Sequence, residues 1–129
     1  MLAVDTNVLV RVLVDDPGAQ KQCAAARQLV SDSGAIYVSQ IVQVETIWVL
    51  ESAYRFDREA VTSALTGLAR NEAFVLQRRE VFVEALHEMS ISAVDFSDCL
   101  ILTEARAEKA DLATFDKKLG KLPGSKLVL

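Results

Sequence analysis

The sequence predicts an α/β fold, a single-domain three-layer α/β/α arrangement with a mostly parallel central sheet. Three observations predict it. Short apolar runs alternate with longer segments of helical length along the 129 residues, the pattern of strands joined by crossover helices. No internal repeat, low-complexity tract or linker breaks that alternation, so one domain is expected over residues 1–129. Two of the apolar runs stop on a carboxylate: Met1-Leu2-Ala3-Val4 runs into Asp5, and Leu112-Ala113-Thr114-Phe115 runs into Asp116. Ligand crevices of open α/β sheets form at the carboxyl ends of strands. If these two strands are parallel neighbours, both acids end on one sheet edge, where like charges need something positive between them.

The elements follow in order. After the first strand, Asp5 to about Val14 continues as a short helix with Thr6 or Asn7 near its cap. The turn Asp15-Asp16-Pro17-Gly18 starts an alanine-rich helix from about Pro17 to Ser31. Ser31-Asp32-Ser33-Gly34 ends that helix, and Ile36-Tyr37-Val38 is a strand. Ser39 caps a helix from about Gln40 to Tyr54, and Asp57 caps another to about Arg70. Phe74-Val75-Leu76 is the third strand. Helices follow from about Arg79 to Met89 and from about Phe96 to Lys109. Leu112 to Phe115 is the fourth strand, and Lys126-Leu127-Val128 the fifth.

Composition narrows the function classes. Hydrophobic residues make up 51% of the chain and the mean hydropathy is +0.23, which excludes a disordered chain. The apolar runs are too short to span a bilayer. No basic N-terminus leads into an apolar signal segment, so a cytoplasmic protein is expected. Cys23 and Cys99 fall inside predicted helices and read as small buried hydrophobes in a reducing compartment. His87, the only histidine, reads as a helix-surface residue, which argues against a His-ligated metal. The net charge of −4 argues by itself against a nucleic-acid partner. Its distribution matters more. The four carboxylates singled out below carry a charge equal to the whole net charge, and the remainder of the chain is balanced. Lys117, Lys118, Lys121 and Lys126, with Arg78-Arg79, are basic spots that suit a phosphate backbone, or simply a solvated surface.

The acids in apolar surroundings carry the chemistry. In Ile41-Val42-Gln43-Val44-Glu45-Thr46-Ile47-Trp48-Val49, the residues three and four away from Glu45 are all apolar. That placement draws Glu45 towards the interior, unless it is an edge residue or paired with an arginine. Asp95 and Asp98 open the apolar helix Phe96-Ser97-Asp98-Cys99-Leu100-Ile101-Leu102. Asp95 is placed as an N-cap, whereas Asp98 already lies inside the helix. Asp116 either serves the site or caps the turn after it. Asp15, Asp16, Asp57 and Asp111 sit in loop or cap contexts and read as structural. Asp5, Glu45, Asp98 and Asp116 remain, with Asp95 as a further, less secure candidate. All are hard oxygen donors, which favours Mg²⁺ or Mn²⁺ over zinc or copper. Carboxylates holding such ions serve phosphodiester cleavage without a side-chain nucleophile.

Four motifs in order, Asp5-Thr6-Asn7-Val8-Leu9, Val44-Glu45-Thr46-Ile47-Trp48-Val49-Leu50, Asp95-Phe96-Ser97-Asp98-Cys99-Leu100-Ile101 and Thr114-Phe115-Asp116-Lys117, resemble the PIN domain. The likeness is strongest to the VapC-type toxins of bacterial toxin–antitoxin pairs, and it covers essentially the whole chain. The resemblance implies an endoribonuclease with Mg²⁺ or Mn²⁺ held by Asp5, Glu45, Asp98 and Asp116, and in some members by an acid at the position of Asp95. It implies that Thr6 or Asn7 helps order the site and that Thr114 supports Asp116 through hydrogen bonds. It also implies a homodimer and a cognate antitoxin that blocks the site, for which the sequence suggests an apolar anchor near Trp48 or Tyr54 and an arginine aimed at the acids.

Two other classes compete. An aspartyl-phosphate phosphatase would use Asp5 as a nucleophile, but it calls for an acid two residues on, where this chain has Asn7. A non-catalytic module would use the acids for folding or for a basic partner, and would show no effect of divalent ions on stability.

Overall fold

The computed structural model describes Met1–Leu129. Pairs of α-helices, six in all, separate the first four of five strands, only a 3₁₀ turn lies between the last two, and every strand pairing is parallel. The chain divides into two compact units, Met1–Gln77 and Arg78–Leu129.

The first unit holds a parallel sheet of β1 (Leu2–Ala3), β2 (Ile36–Val38) and β3 (Phe74–Leu76), in that order. Leu2 lies opposite Ile36, and Ile36 opposite Phe74. Parallel neighbours need crossovers. One runs through α1 (Thr6–Leu13) and α2 (Gln20–Ser33), the other through α3 (Gln40–Ser52) and α4 (Arg58–Arg70). Alternate strand residues Ile36, Val38, Phe74 and Leu76 are buried, as the two-residue period of a strand requires. The helices contribute Val10, Val14 and Leu50, packed with Leu13, Val49, Tyr54, Phe56 and Ala64. Leu50 is fully buried, which stabilises the unit by about 2 kcal/mol.

Local signals set the helix ends. Ser39 accepts a hydrogen bond from the Val42 amide, and Asp57 accepts one from Ala60, so both expected caps form. Asp5 itself, not Thr6 or Asn7, is the N-cap of α1. The segment from Pro17 begins with a 3₁₀ turn, Pro17–Ala19, before α2. Gly34 ends α2 in the left-handed region at φ 72°, where a side chain is strained.

The second unit pairs α5 (Arg79–Ile91) with α6 (Phe96–Ala107), and β4 (Leu112–Thr114) with β5 (Ser125–Leu127). Each acid-ended strand is therefore hydrogen-bonded within its own unit: β1 to β2, and β4 to β5, rather than β1 to β4. The Phe82 and Phe96 rings meet edge to face with centroids 5.2 Å apart. Arg106 fastens this unit. Its Nη1 donates to Glu88 at 2.7 Å and to Glu84 at 3.2 Å, and its Nε donates to the Pro123 carbonyl at 3.0 Å. At the adjoining Gly124, φ 90° strains any side chain, and a Cβ there would sit tightly, 3.1 Å from Arg106 Nε. Cys23 and Cys99 are buried free thiols, and His87 is exposed. No helix is long and apolar enough to cross a membrane.

Candidate active site

In the first unit, Asp5 leaves β1 and caps α1. Its Oδ1 accepts from the Val8 amide at 3.0 Å, and Oδ2 stays free to accept elsewhere. The carboxylate is exposed, with its direction fixed by the cap. Thr6 and Asn7 form the first turn of α1. Asn7 shares with Asp5 the lining of a groove along that helix.

Glu45 corrects the sequence expectation. It is exposed rather than drawn inward, and it shares its helix face with Ile41 and Trp48, which are 72% and 69% exposed. The buried stripe of α3 is instead Gln43, Thr46, Ile47 and Leu50. The reason is Gln43. Its Nε2 donates to the Val38 carbonyl at 3.3 Å and to the Gln77 carbonyl at 3.1 Å, just past the ends of β2 and β3. The Gln77 side chain in turn accepts from the Gln40 amide at 2.8 Å. The Val38 carbonyl also accepts from the Gln77 amide at 2.9 Å, so Gln43 is its second donor and the donor that answers the Gln77 carbonyl. A buried carbonyl without a partner costs free energy, so the face of α3 that can answer it turns inward. Glu45 then points away with the opposite stripe.

In the second unit, Asp98 sits in the first turn of α6 and is partly buried. Burial, then the charges of Asp116 and Asp95, push its carboxyl above the usual aspartate range. Three acids of one unit thus lie within electrostatic reach of each other. Asp95 stands at the N-cap position of α6, but its side chain makes no capping hydrogen bond to the helix. Asp116 follows β4. Its amide donates to Thr114 Oγ1 at 3.0 Å, and its Oδ1 accepts from the Leu119 amide at 3.0 Å. Asp116, like Asp5, is an exposed acid oriented by a backbone bond through one oxygen, with the other oxygen available.

The residues read as structural behave as such. Asp57 caps α4, Asp15 pairs with Arg27 at 2.6 Å, and Asp111 is exposed. Asp16 does more than turn the chain. It accepts from Tyr54 Oη at 2.7 Å, from the Gly18 amide at 2.8 Å and from Arg11 at 3.3 Å. The Tyr54 bond, then the Gly18 amide, hold its carboxyl below the usual range; burial opposes them, and the charge of Arg11 adds the smallest lowering. The sequence reading missed this network. Its only signal was Arg11, a lone cation among the apolar residues of α1.

The donor chemistry suits a divalent cation. Asp98 is held where ionisation is opposed by like charges, and a hard cation relieves that opposition. No three histidine, cysteine, aspartate or glutamate side chains are gathered as a ready-made metal cage. The basic spots differ from one another: Arg78 pairs with Glu108 at 3.8 Å, whereas Lys117, Lys118, Lys121 and Lys126 are exposed.

Comparison with protein families matches the PIN domain over residues 2–124. No curated protein matches the chain. PIN domains are commonly nucleases that act on RNA or DNA, generally with divalent metal ions. With the match running from the strand before Asp5 to the turn before β5, the chain belongs to the PIN-domain family.

Proposed function

We propose that this PIN-domain protein is a metal-dependent endoribonuclease that hydrolyses RNA phosphodiester bonds, and that it is the toxin of a type II toxin–antitoxin pair in the cytoplasm. The observation that carries the reading is the opposed charge at Asp98, with Asp116 and Asp95 close enough to raise its carboxyl. In this reading Asp5, Glu45, Asp98 and Asp116 hold Mg²⁺ or Mn²⁺, with Asp95 assisting. The ion would supply a bound water of lowered pKa and charge stabilisation for the leaving oxygen.

The chain's own residues do the positioning. The Val8 and Leu119 amides each fix one oxygen of Asp5 and Asp116 and leave the other as a donor of set direction. Thr114 orients the backbone at Asp116. Asp98, desolvated and crowded by like charge, holds a proton more tightly than an ordinary aspartate, and as a carboxylate it would be one of the residues holding the ion. The exposed lysines after Asp116 carry the phosphate backbone.

The partners follow from exposed surface. Ile41 and Trp48 flank Glu45 and are solvent-exposed, an apolar anchor for an antitoxin segment whose arginine answers the acids bidentately. Tyr54, the other candidate, has its hydroxyl engaged by Asp16 and Arg11 and would offer only its ring. The surplus of apolar residues from Pro17 to Tyr54 also supports a homodimer, and light scattering at micromolar concentration without antitoxin should report a dimer. The purified protein should cut single-stranded RNA with Mg²⁺ or Mn²⁺ and fall silent in excess chelator. Undiminished cleavage in chelator contradicts the proposal.

A further inference from the structure

A groove of about 390 Å³ runs between α1 and α2 in the first unit, lined by Asp5, Asn7, Val8, Arg11, Gln22 and Ala25 among others. Its volume lies at the small end of ligand pockets, and a mainly apolar lining with a few placed polar groups is the usual make-up of such sites. Small residues such as Ala25 leave room for a flat ring.

The polar groups are pre-set. Arg11 Nη1 donates to Tyr54 Oη at 2.6 Å and to Asp16 at 3.3 Å, and Arg11 Nε donates to Gln22 Oε1 at 2.8 Å. A guanidinium only donates. Gln22 must therefore turn its carbonyl to Arg11, which leaves its Nε2 as a donor. Arg11 Nη2 has no acceptor within the protein. Two N–H groups on residues that already bond each other are thus left to donate. Asp5 lines the same groove, and along α1 it lies roughly 9 Å from Arg11.

We propose that this groove is a nucleobase subsite for the RNA strand, next to the end of the site that Asp5 occupies. It takes a base with two adjacent acceptors on one edge: guanine through O6 and N7, or cytosine through O2 and N3. Adenine sets an amino donor beside each edge acceptor, and uracil separates its carbonyls by an N–H, so both present a donor to a donor. Single-stranded RNA exposes these edges, and amide and guanidinium side chains are the groups that read them. The subsite rests on the nuclease reading for its place beside the scissile phosphate, but its base preference does not depend on cleavage.

Binding of the four nucleoside monophosphates, followed through the NMR signals of the Gln22 and Asn7 side-chain amides and the Ala25 backbone amide, tests it. GMP or CMP should shift these signals and bind about tenfold more tightly than AMP and UMP, and comparing the first two identifies the base. Gln22→Glu keeps the acceptor for Arg11 Nε but removes the second donor, and should erase the preference. Ala25→Trp, at an exposed helix position, should fill the groove and abolish binding. Equal affinity for all four nucleotides overturns the proposal, as does a partner peptide that shifts the groove signals when no nucleotide does. The same variants in an RNA-cleavage assay separate the two readings. Cleavage whose position ignores base identity and both substitutions removes the subsite and leaves the nuclease. Base-selective binding by a protein that cuts no RNA removes the nuclease and leaves the subsite.

Discussion

Helix α3 turns Glu45 outward between exposed Ile41 and Trp48, whereas helix α6 keeps Asp98 partly buried and in electrostatic contact with two other acids of its unit. Both acids lie in apolar helical stretches. The difference is what the neighbouring elements require. In α3 the carbonyl after β3 needs a donor, and Gln43 supplies it while adding a second bond at the end of β2. The helix rotates to satisfy that carbonyl, and a carboxylate cannot donate in place of the amide. In α6 Asp98 is in the first turn, where the positive end of the helix dipole favours an acid, and part of its desolvation is tolerated there. An acid in an apolar helix is buried or exposed according to the groups it faces, not according to the apolar count around it.

The largest expected effect falls on the α6 side of this comparison. Asp98→Asn should lower RNA cleavage by more than about 100-fold, since even outer-shell metal partners cost 10–100-fold. Asp57→Asn, which keeps a capping side chain on α4, should leave cleavage within about twofold. Equal loss from both variants, measured on the same RNA, would place the site elsewhere.

The next effect is on α3. Gln43→Ala should destabilise by about 1–3 kcal/mol in a denaturant titration, because it leaves the Gln77 carbonyl without its donor, while the Val38 carbonyl keeps the Gln77 amide. Glu45→Ala should stay within about 0.5 kcal/mol, as expected of an exposed side chain. A larger loss at Glu45 than at Gln43 would reverse the assigned faces of α3.

A smaller effect separates two acids by sign. Asp98 titrates above an ordinary aspartate, so protonation favours the folded state. Its favourable contribution is complete below about pH 3.9 and is lost as pH rises through its raised value. Asp98→Asn without metal should therefore raise the melting temperature at pH 7, by on the order of a few degrees, and the gain should vanish in acid. Asp16 titrates below an ordinary aspartate. Its contribution is present above about pH 3.9 and is lost as pH falls through its lowered value. Asp16→Asn should lower the melting temperature at pH 7, with a cost that also shrinks in acid. Melting curves at pH 3 and pH 7 check both signs.

Much of the fold is written locally, and the structure follows it. The caps Ser39 and Asp57, the Gly34 terminator and the short apolar strands depend on neighbours in sequence. The four acid-bearing motifs are legible because their order and spacing are specific. What is not legible depends on distant partners. The inward face of α3 is set by carbonyls of Val38 and Gln77. The role of Asp5 as the cap of α1 competes with two neighbouring capping residues, Thr6 and Asn7. The Arg11–Tyr54–Asp16 network joins residues up to 43 positions apart, and its one local sign is a lone arginine in α1.

The most direct test of the account is thermal melting of the purified protein against Mn²⁺ concentration, with Asp98→Asn measured in parallel. A cation that binds the native carboxylates stabilises by mass action. The wild-type midpoint should climb steadily with Mn²⁺, and Asp98→Asn should start higher and stay nearly flat. A wild-type midpoint unmoved by millimolar Mn²⁺, or an equal climb in both proteins, would contradict the claim that these carboxylates hold a metal.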